Sequence, residues 1–285
     1  MEKQSNDARK PKKQHSAPAR NWVGDNGKII EPLFADYFLS LHPMRCFQGR
    51  LFTVDGMVED EAPLKKEIYE QIRYYATTSV ARRIEHIVQA IKLACASEPP
   101  EIQTDRIHVR NGTYFADGHF TPEKEYCMNR LPIVYVSDAP APTRWLQFLN
   151  ELLYEEDIPA LQEYIGYCLL PVTKAQKMLL MVGKGGEGKS RIGLILRELF
   201  GSSMYTGSLQ KVETNRFARA DLEYKLLLVD DDMKTEALPQ TNNIKTLVTL
   251  EDKIDIERKG QQSVQGTLYV RFACFGNGSL HALYD

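Results

Sequence analysis

Apolar residues recur at helical spacing along much of the N-terminal half of the chain. Residues 31–41 are mostly apolar, and residues 63–76 and 79–96 repeat apolar side chains every three or four positions. This spacing places the apolar side chains on one face of a helix, which can then pack into a core. Two further helices are predicted over residues 142–153 and 158–170.

Short β segments are predicted between these helices. Residues 44–58 are typical of a small hairpin, and the Asn-Gly pair at 111–112 and the Asp-Gly pair at 117–118 are hairpin turn signals. Residues 131–136 predict one more strand. The first half of the chain is therefore predicted to be mixed α+β, and its residues suggest no catalytic set.

The pattern changes at Lys177. Three short apolar runs follow, at residues 178–182, 226–229 and 268–275, with helix-like segments between them. Runs of this length are typical of strands that are buried on both faces of a parallel sheet. The alternation of strand and helix predicts an α/β domain.

Composition limits the functional classes. Hydrophobic residues make up 43% of the 285 residues, a value close to the globular average that excludes wholesale disorder. The 36 Lys and Arg residues nearly balance the 38 Asp and Glu residues, so any contact with nucleic acid must be local. No apolar run approaches the roughly 18 residues of a membrane span, and the N-terminus lacks the apolar segment of a secretory signal.

Cysteine and histidine spacing argues against a disulfide framework and a zinc site. The five cysteines are scattered and never form a C-x-x-C pair, which favours a reducing, cytoplasmic compartment. His42, His86, His108 and His119 have no metal-ligand spacing, and we interpret them as structural or surface residues.

The first 20 residues are polar and basic, with six Lys or Arg residues against two acidic ones. Such a stretch cannot bury enough apolar surface to fold alone. It is either a solvated tail or a basic arm that binds phosphate groups.

Residues 183–190 carry the clearest chemistry. They read GKGGEGKS, which fits the pattern G-x-x-x-x-G-K-[ST] between a predicted strand and a predicted helix. The glycines allow backbone N–H groups to point at phosphate oxygens, and the helix N-terminus adds partial positive charge. Lys189 is expected to reach the β- and γ-phosphates and Ser190 to hold Mg²⁺, whereas Lys184 is interpreted as a solvated side chain. The predicted nucleotide ligands are Gly183, Gly185, Gly186, Glu187, Gly188, Lys189 and Ser190.

Three aspartates follow the second apolar run. A buried strand that ends in carboxylates supplies oxygen ligands for Mg²⁺ opposite a P-loop. We assign Asp230 to the metal and Asp231 to the attacking water, and Asp232 could shift that assignment by one position. The alternative is that these acids only cap a following turn.

Two further features complete the motif order. Asn277 follows the third apolar run, where its side-chain amide could contact the γ-phosphate and the attacking water. The pair Asn277-Gly278 is also a hairpin turn signal, which is the alternative interpretation. Between the second and third runs, Arg258 and Lys259 lie at the turn of a predicted exposed hairpin. This hairpin is either simply solvated or grips a nucleic-acid backbone.

This order of motifs resembles that of the superfamily 3 helicases, and more closely that of the primase-helicase ATPases of phages, plasmids and integrated elements. The likeness covers approximately residues 30–285, and residues 145–149, 161–167 and 176–177 resemble the domain that precedes the ATPase in those proteins. Residues 183–190 match their Walker A motif, Asp230 and Asp231 their Walker B acids, Arg258 and Lys259 the region of their B′ motif, and Asn277 the Asn of their motif C.

The resemblance implies an ATP-dependent DNA helicase or translocase module with an AAA+-like P-loop sheet. It implies ATP and Mg²⁺ as cofactors, single-stranded or forked DNA as the partner, and a hexameric ring with ATP between subunits. Lys189, Asp231 and Asn277 would be catalytic, Ser190 and Asp230 would hold the metal, and Arg258 and Lys259 would contact DNA. An arginine from a neighbouring subunit would complete the site.

The chain departs from the family pattern in three places. Residues 250–252 read Leu-Glu-Asp where the family usually has Gly-Gly-Asp, and the acidic motif has three aspartates where a glutamate is often present. The sequence ends at Asp285, before the arginine-bearing segment, so we expect a C-terminally truncated module with weak hydrolysis unless Arg258 or Arg271 substitutes.

The sequence thus predicts a disordered basic tail over residues 1–25, a mixed α+β region over 26–140 and a superfamily 3 P-loop ATPase domain over 141–285. Two other functions stay open. One is a P-loop enzyme of different chemistry, such as a small-molecule kinase. The other is a catalytically weak remnant that binds or loads DNA.

Overall fold

The computed structural model of the chain describes residues 21–76, 78–234, 241–249, 253–260 and 262–277. Most of the predicted basic tail therefore lies outside the described residues. The same holds for the Leu-Glu-Asp segment at 250–252 and for Gly278 of the predicted Asn277-Gly278 turn.

The described residues form two compact units, one within residues 1–53 and 57–98 and the other within residues 54–56 and 99–285. Residues 99–140 belong to the second unit, whereas the sequence grouped them with the N-terminal region. The domain boundary at residue 140 stays a prediction.

The three N-terminal helices predicted from apolar spacing are confirmed. On the third of them, Ile87, Val88 and Ile91 are fully buried, and Trp22 packs edge-on against Phe34 with ring centroids 4.9 Å apart. The elements are α1 (Glu31–Leu41), β1 (Arg45–Phe47), β2 (Arg50–Thr53), β3 (Gly56–Met57), α2 (Ala62–Ile72) and α3 (Val80–Ala94). The predicted hairpin over 44–58 is thus a three-stranded sheet in the order β1-β2-β3.

The second unit begins with a small antiparallel sheet and two helices. Both predicted turns are confirmed: Gly112 pairs with Val109 across the first, and the second separates the next two strands. The strand predicted over 131–136 is wrong, because Pro132 has no N–H to continue a ladder. Only single backbone bonds form there, such as Leu131 N–H to His108. The elements are β4 (Arg106–Val109), β5 (Gly112–Phe115), β6 (Phe120–Thr121), α4 (Thr143–Leu152) and α5 (Asp157–Cys168).

A four-stranded parallel sheet forms the centre of the second unit, as the three apolar runs predicted. The remaining elements are β7 (Leu179–Gly183), α6 (Lys189–Phe200), β8 (Met204–Thr206), α7 (Leu209–Thr214), β9 (Leu227–Lys234), α8 (Asn242–Thr249), β10 (Ile254–Ile256), β11 (Val264–Gly266) and β12 (Arg271–Asn277). The strand order of the parallel sheet is β7-β12-β9-β8, and the strand β8 was not predicted.

Two apolar cores cover the two faces of this sheet. Leu227 and Val229 of β9 pack in the core that contains Ile192 and Leu196 of α6. Leu228, between them, packs in the core that contains Leu209 of α7. Successive strand residues point to opposite faces, so β9 and β12 are buried on both sides as predicted.

The strand β7 differs from that prediction, because all five of its residues are only half-buried. Within the described part of the chain it pairs with β12 alone. A cavity of about 650 Å³ lies along it, lined by the end of α4, the start of α5 and Gly183, Lys184 and Glu187.

Candidate nucleotide-binding site

The P-loop joins the end of β7 to the start of α6, as the sequence predicted. Gly188 is the N-cap of α6 and has a φ of 98°, a conformation that side-chain-bearing residues rarely adopt. A Cβ at this position would lie 3.6 Å from the ring of Phe148 on α4. The loop therefore needs glycine here for its backbone conformation, since a Cβ would make only an ordinary van der Waals contact with α4.

Lys189 makes an ion pair inside the loop. Its Nζ donates to Oε2 of Glu187 at 3.1 Å, and the same oxygen accepts the backbone N–H of Lys184 at 3.1 Å. The side chain of Lys189 is 9% exposed and that of Glu187 is 44% exposed. The hydrogen bond from Lys189, with that from the Lys184 N–H, lowers the pKa of Glu187. Glu187 is thus held in its ionised form.

Gly183 lies against this pair. A Cβ on Gly183 would be 1.9 Å from the Glu187 carboxylate and 2.7 Å from the Lys189 ammonium. The charged ends of both side chains therefore occupy the concave side of the loop, where any larger residue at 183 would displace them.

Asn277 lies beside the P-loop. In the sheet it is opposite Gly183 on one neighbouring strand and opposite Lys234 on the other. A Cβ on Gly185 would be 3.5 Å from the Asn277 side-chain oxygen. Because β7, β12 and β9 are parallel, their carboxyl ends share one edge of the sheet, where ligands of such sheets bind.

Asp230 is buried and already bonded within the chain. Its Oδ2 accepts the N–H of Leu209, at the start of α7, at 2.7 Å, and its Oδ1 accepts the N–H of Asp232 at 3.4 Å. Burial raises the pKa of Asp230, and the charges of Asp231 and Asp232 add to the rise. Asp230 therefore lies on the face of the sheet that α7 covers.

Asp231 and Asp232 are exposed, and the ladder between β9 and β12 is irregular where they lie. A Cβ on Gly193 of α6 would be 3.7 Å from Val229, so the P-loop helix crosses β9 at that residue. Along β9, Asp231 lies two residues past Val229, toward the carboxyl edge of the sheet where the P-loop lies. Along α6, Ser190 lies one helical turn before Gly193, also toward that edge.

The predicted basic hairpin is confirmed as an antiparallel pair of β10 and β11. Lys259 is exposed at its turn, but Arg258 is half-buried and pairs with the carboxylate of Glu223. The two residues assigned to DNA contact therefore differ: the charge of Lys259 faces solvent, whereas that of Arg258 is compensated within the chain.

Arg271 is not available to act on another subunit. It is 3% exposed, its guanidinium donates to the carbonyls of Tyr269 and Leu170, and it lies 4.6 Å from the ring centroid of Tyr167. The expectation that Arg271 could replace the arginine of a neighbouring subunit is wrong, because β12 fixes it in the interior.

The residues present fit a nucleotide phosphate. The loop holds a nearly buried Lys189 side chain, and Gly185, Gly186 and Gly188 all have positive φ, which gives the backbone the tight turns that a phosphate-binding loop uses. No group of three or more His, Cys, Asp or Glu side chains could hold a metal by itself in the part of the chain that the structure describes. A metal here would need the nucleotide as a further ligand.

Three features of the site were not predicted. Glu187 was assigned to the nucleotide, and nothing in the motif pattern indicates that it binds Lys189 instead. Phe148 was predicted as a core residue of a helix, and its contact with the P-loop depends on tertiary packing. The strand irregularity at Asp231 also leaves no signal in the apolar pattern.

Comparison with known proteins gives one family match and several structures with a similar fold. A model of a family of unknown function, DUF5906, matches residues 181–285, which is less than half of the chain. The search of curated proteins found no match.

Two structures of the C-terminal region of NrS-1 align over 87% of this chain and 57% of their own, at 14% identity, with TM-scores of 0.54 and 0.51. This chain thus spans little more than half the length of those proteins. A JCV helicase structure aligns over 47% of this chain and 39% of its own, at 20% identity and a TM-score of 0.32, below the level that indicates a shared fold.

The predicted fold class, an α/β P-loop sheet preceded by a smaller mixed α+β part, is confirmed. The chain shares this fold with the NrS-1 C-terminal region. No helix among the described ranges is long and apolar enough to cross a membrane.

Proposed function

We propose that the chain is an ATP-binding and ATP-hydrolysing module of a DNA helicase or translocase from a phage or plasmid type of replication protein. The observation that carries this proposal is that the P-loop and Asn277 lie side by side at the carboxyl edge of one parallel sheet, where a Cβ on Gly185 would be 3.5 Å from the Asn277 side-chain oxygen. A buried strand with exposed acids ends at the same edge. These three parts are among those that phosphoryl transfer to water requires, and an arginine from a neighbouring subunit would complete the site.

Each part has a role in this proposal. Lys189 holds the β- and γ-phosphate oxygens and stabilises charge that develops on them. Asn277 positions the attacking water. Mg²⁺, when bound with the nucleotide, neutralises phosphate charge. Ser190 is the ligand that α6 offers to this ion.

The acidic roles shift by one position relative to our first assignment. Asp230 is bonded to α7 through Leu209, so we propose that it positions α7 and β9. Asp231 is exposed and lies two residues beyond Val229 toward the carboxyl edge of the sheet, so it takes the metal role, acting through water, and Asp232 takes the role of orienting the attacking water. This is the alternative that the run of three aspartates left open.

Substitution Asp231→Asn should lower ADP release by about 10- to 100-fold, the usual cost of losing a group that acts on a metal through water. It should leave the free energy of unfolding within about 0.5 kcal/mol of wild type, because the side chain is exposed. Substitution Asp230→Ala is the matched control, and it should cost about 1–2 kcal/mol of stability by removing the acceptor at the start of α7. A large loss of turnover in Asp230→Ala with unchanged stability, and normal turnover in Asp231→Asn, would restore the first assignment.

DNA is the proposed partner. Lys259 at the β10–β11 turn is the exposed cation of the hairpin, and phosphate contacts by such residues are the main source of affinity for a nucleic-acid backbone. A homo-oligomeric ring, hexameric if complete, would bring several such hairpins together. These finer features come from the resemblance and are part of the proposal.

The test is ADP release by the purified chain with Mg²⁺ and ATP, with and without single-stranded DNA. We expect turnover that DNA increases several-fold and that falls as salt rises, because the DNA contact is electrostatic. DNA-independent turnover that requires a small-molecule acceptor would instead indicate a kinase. DNA binding without measurable turnover would indicate a remnant that binds or loads DNA.

A further inference from the structure

The carboxylate of Glu187 stands in the P-loop where a phosphate would be expected. It accepts a hydrogen bond from the Lys189 ammonium and another from a loop backbone N–H, both at 3.1 Å. An ammonium and backbone N–H groups are also the donors that a P-loop uses for phosphate oxygens. The loop thus satisfies its own anion-binding groups with an internal anion.

The position of this carboxylate is central to the loop. It lies on the concave side, over Gly183, where even a methyl group would be only 1.9 Å away. The Lys189 side chain that it holds is nearly buried, at 9% exposure. A phosphate cannot reach Lys189 while the carboxylate keeps this place, since two anions would share one site.

We propose that Glu187 is an internal competitor that sets the affinity of the loop for nucleotides. Entry of a diphosphate or triphosphate group requires the Glu187 side chain to leave Lys189. The cavity beside β7, which Glu187 also lines, gives the displaced side chain a place to go. This inference rests on the proposed nucleotide-binding function and adds a determinant of affinity to it.

Substitution Glu187→Gln tests the inference, because it keeps the side-chain length and removes the negative charge. Glu198→Gln is the matched control: it removes one charge from the exposed face of α6 near its other end, about 13 Å along the helix axis from Lys189. Binding of Mg-ADP to wild type and both variants is measured by calorimetry, with thermal unfolding of each protein as a folding check.

We expect Glu187→Gln to bind ADP about tenfold more tightly than wild type, which corresponds to about 1.4 kcal/mol. Glu198→Gln should stay within about twofold of wild type. Inorganic pyrophosphate, which has the phosphates without the base, should show the same preference for Glu187→Gln.

Three outcomes would overturn the inference. Equal or weaker ADP binding by Glu187→Gln, with clear binding by wild type, would show that the carboxylate does not compete. Equal tightening in Glu198→Gln would assign the effect to net charge. If neither wild type nor Glu187→Gln binds ADP, both the proposed nucleotide-binding function and the proposed competition by Glu187 are rejected.

Discussion

Replacement of Lys189 by alanine is expected to lower ATP turnover by about 10²–10³-fold, the range measured when one preorganised donor to a developing anion is removed. The side chain is nearly buried at the start of α6, and its ammonium is the charged donor on the concave side of the loop. Water cannot supply the positive charge that the Lys189 ammonium would bring to the phosphates once Glu187 has released it. The measurement is the initial rate of ADP release at saturating ATP, together with ADP affinity.

Lys184→Ala is the matched control for this prediction. Lys184 belongs to the same loop and carries the same charge, but its side chain is exposed, and only its backbone N–H bonds to Glu187. Turnover in Lys184→Ala should stay within about threefold of wild type, as expected for an exposed side chain without a catalytic contact. Unchanged turnover in Lys189→Ala would show that the loop is not a phosphate site.

Acid should destabilise the second unit through His108. This imidazole is 6% exposed, and its Nε2 donates to the side-chain oxygen of Gln103 at 2.5 Å. Burial, with the nearby charge of Arg130, lowers the pKa of His108 to about 4 from an ordinary value of 6.5. The side chain is therefore neutral in the folded protein at pH values where the unfolded chain already binds a proton.

The direction of the pH effect follows from this difference. As the pH falls from 6.5 toward 4, the unfolded state takes up the proton first, so the folded state loses stability over that window. The loss attributable to His108 is about 3 kcal/mol over the full window. At pH 7 the neutral imidazole is favoured in both the folded and the unfolded state, so the stability that is lost in acid is fully present.

Substitution His108→Gln isolates the effect, because glutamine keeps a side-chain N–H and does not titrate. Urea unfolding of wild type and variant is compared from pH 7 to pH 4.5. Wild type should lose about 2–3 kcal/mol more than the variant over this range. A difference between the two proteins that is the same at every pH would contradict the buried neutral imidazole.

Local sequence patterns were sufficient to predict those features of the structure that one physical cause determines. The helices over 31–41 and 79–96 follow from apolar spacing alone, and α1 begins and ends at the predicted residues. The P-loop was recognised because its glycines, lysine and serine are required by the geometry of phosphate binding. Asn277 was placed correctly beside the P-loop because parallel strands end at the same edge.

The wrong predictions concern features that depend on contacts between distant parts of the chain. The predicted strand over 131–136 failed at Pro132, which a hydrophobic pattern does not register. The run at 178–182 was predicted to be buried on both faces, yet β7 is half-buried, because strand order cannot be read from apolarity. The roles assigned to Asp230 and Asp231 stay predictions, and the hydrogen bond from the Leu209 N–H to Asp230 is a tertiary contact that the sequence pattern does not indicate.

The most direct test of the account is a crystal structure of the chain with ADP and Mg²⁺. The account predicts the β-phosphate between Gly183 and Lys189, with the Glu187 carboxylate displaced from the ammonium. A nucleotide bound elsewhere, with the ion pair between Glu187 and Lys189 intact, would contradict it.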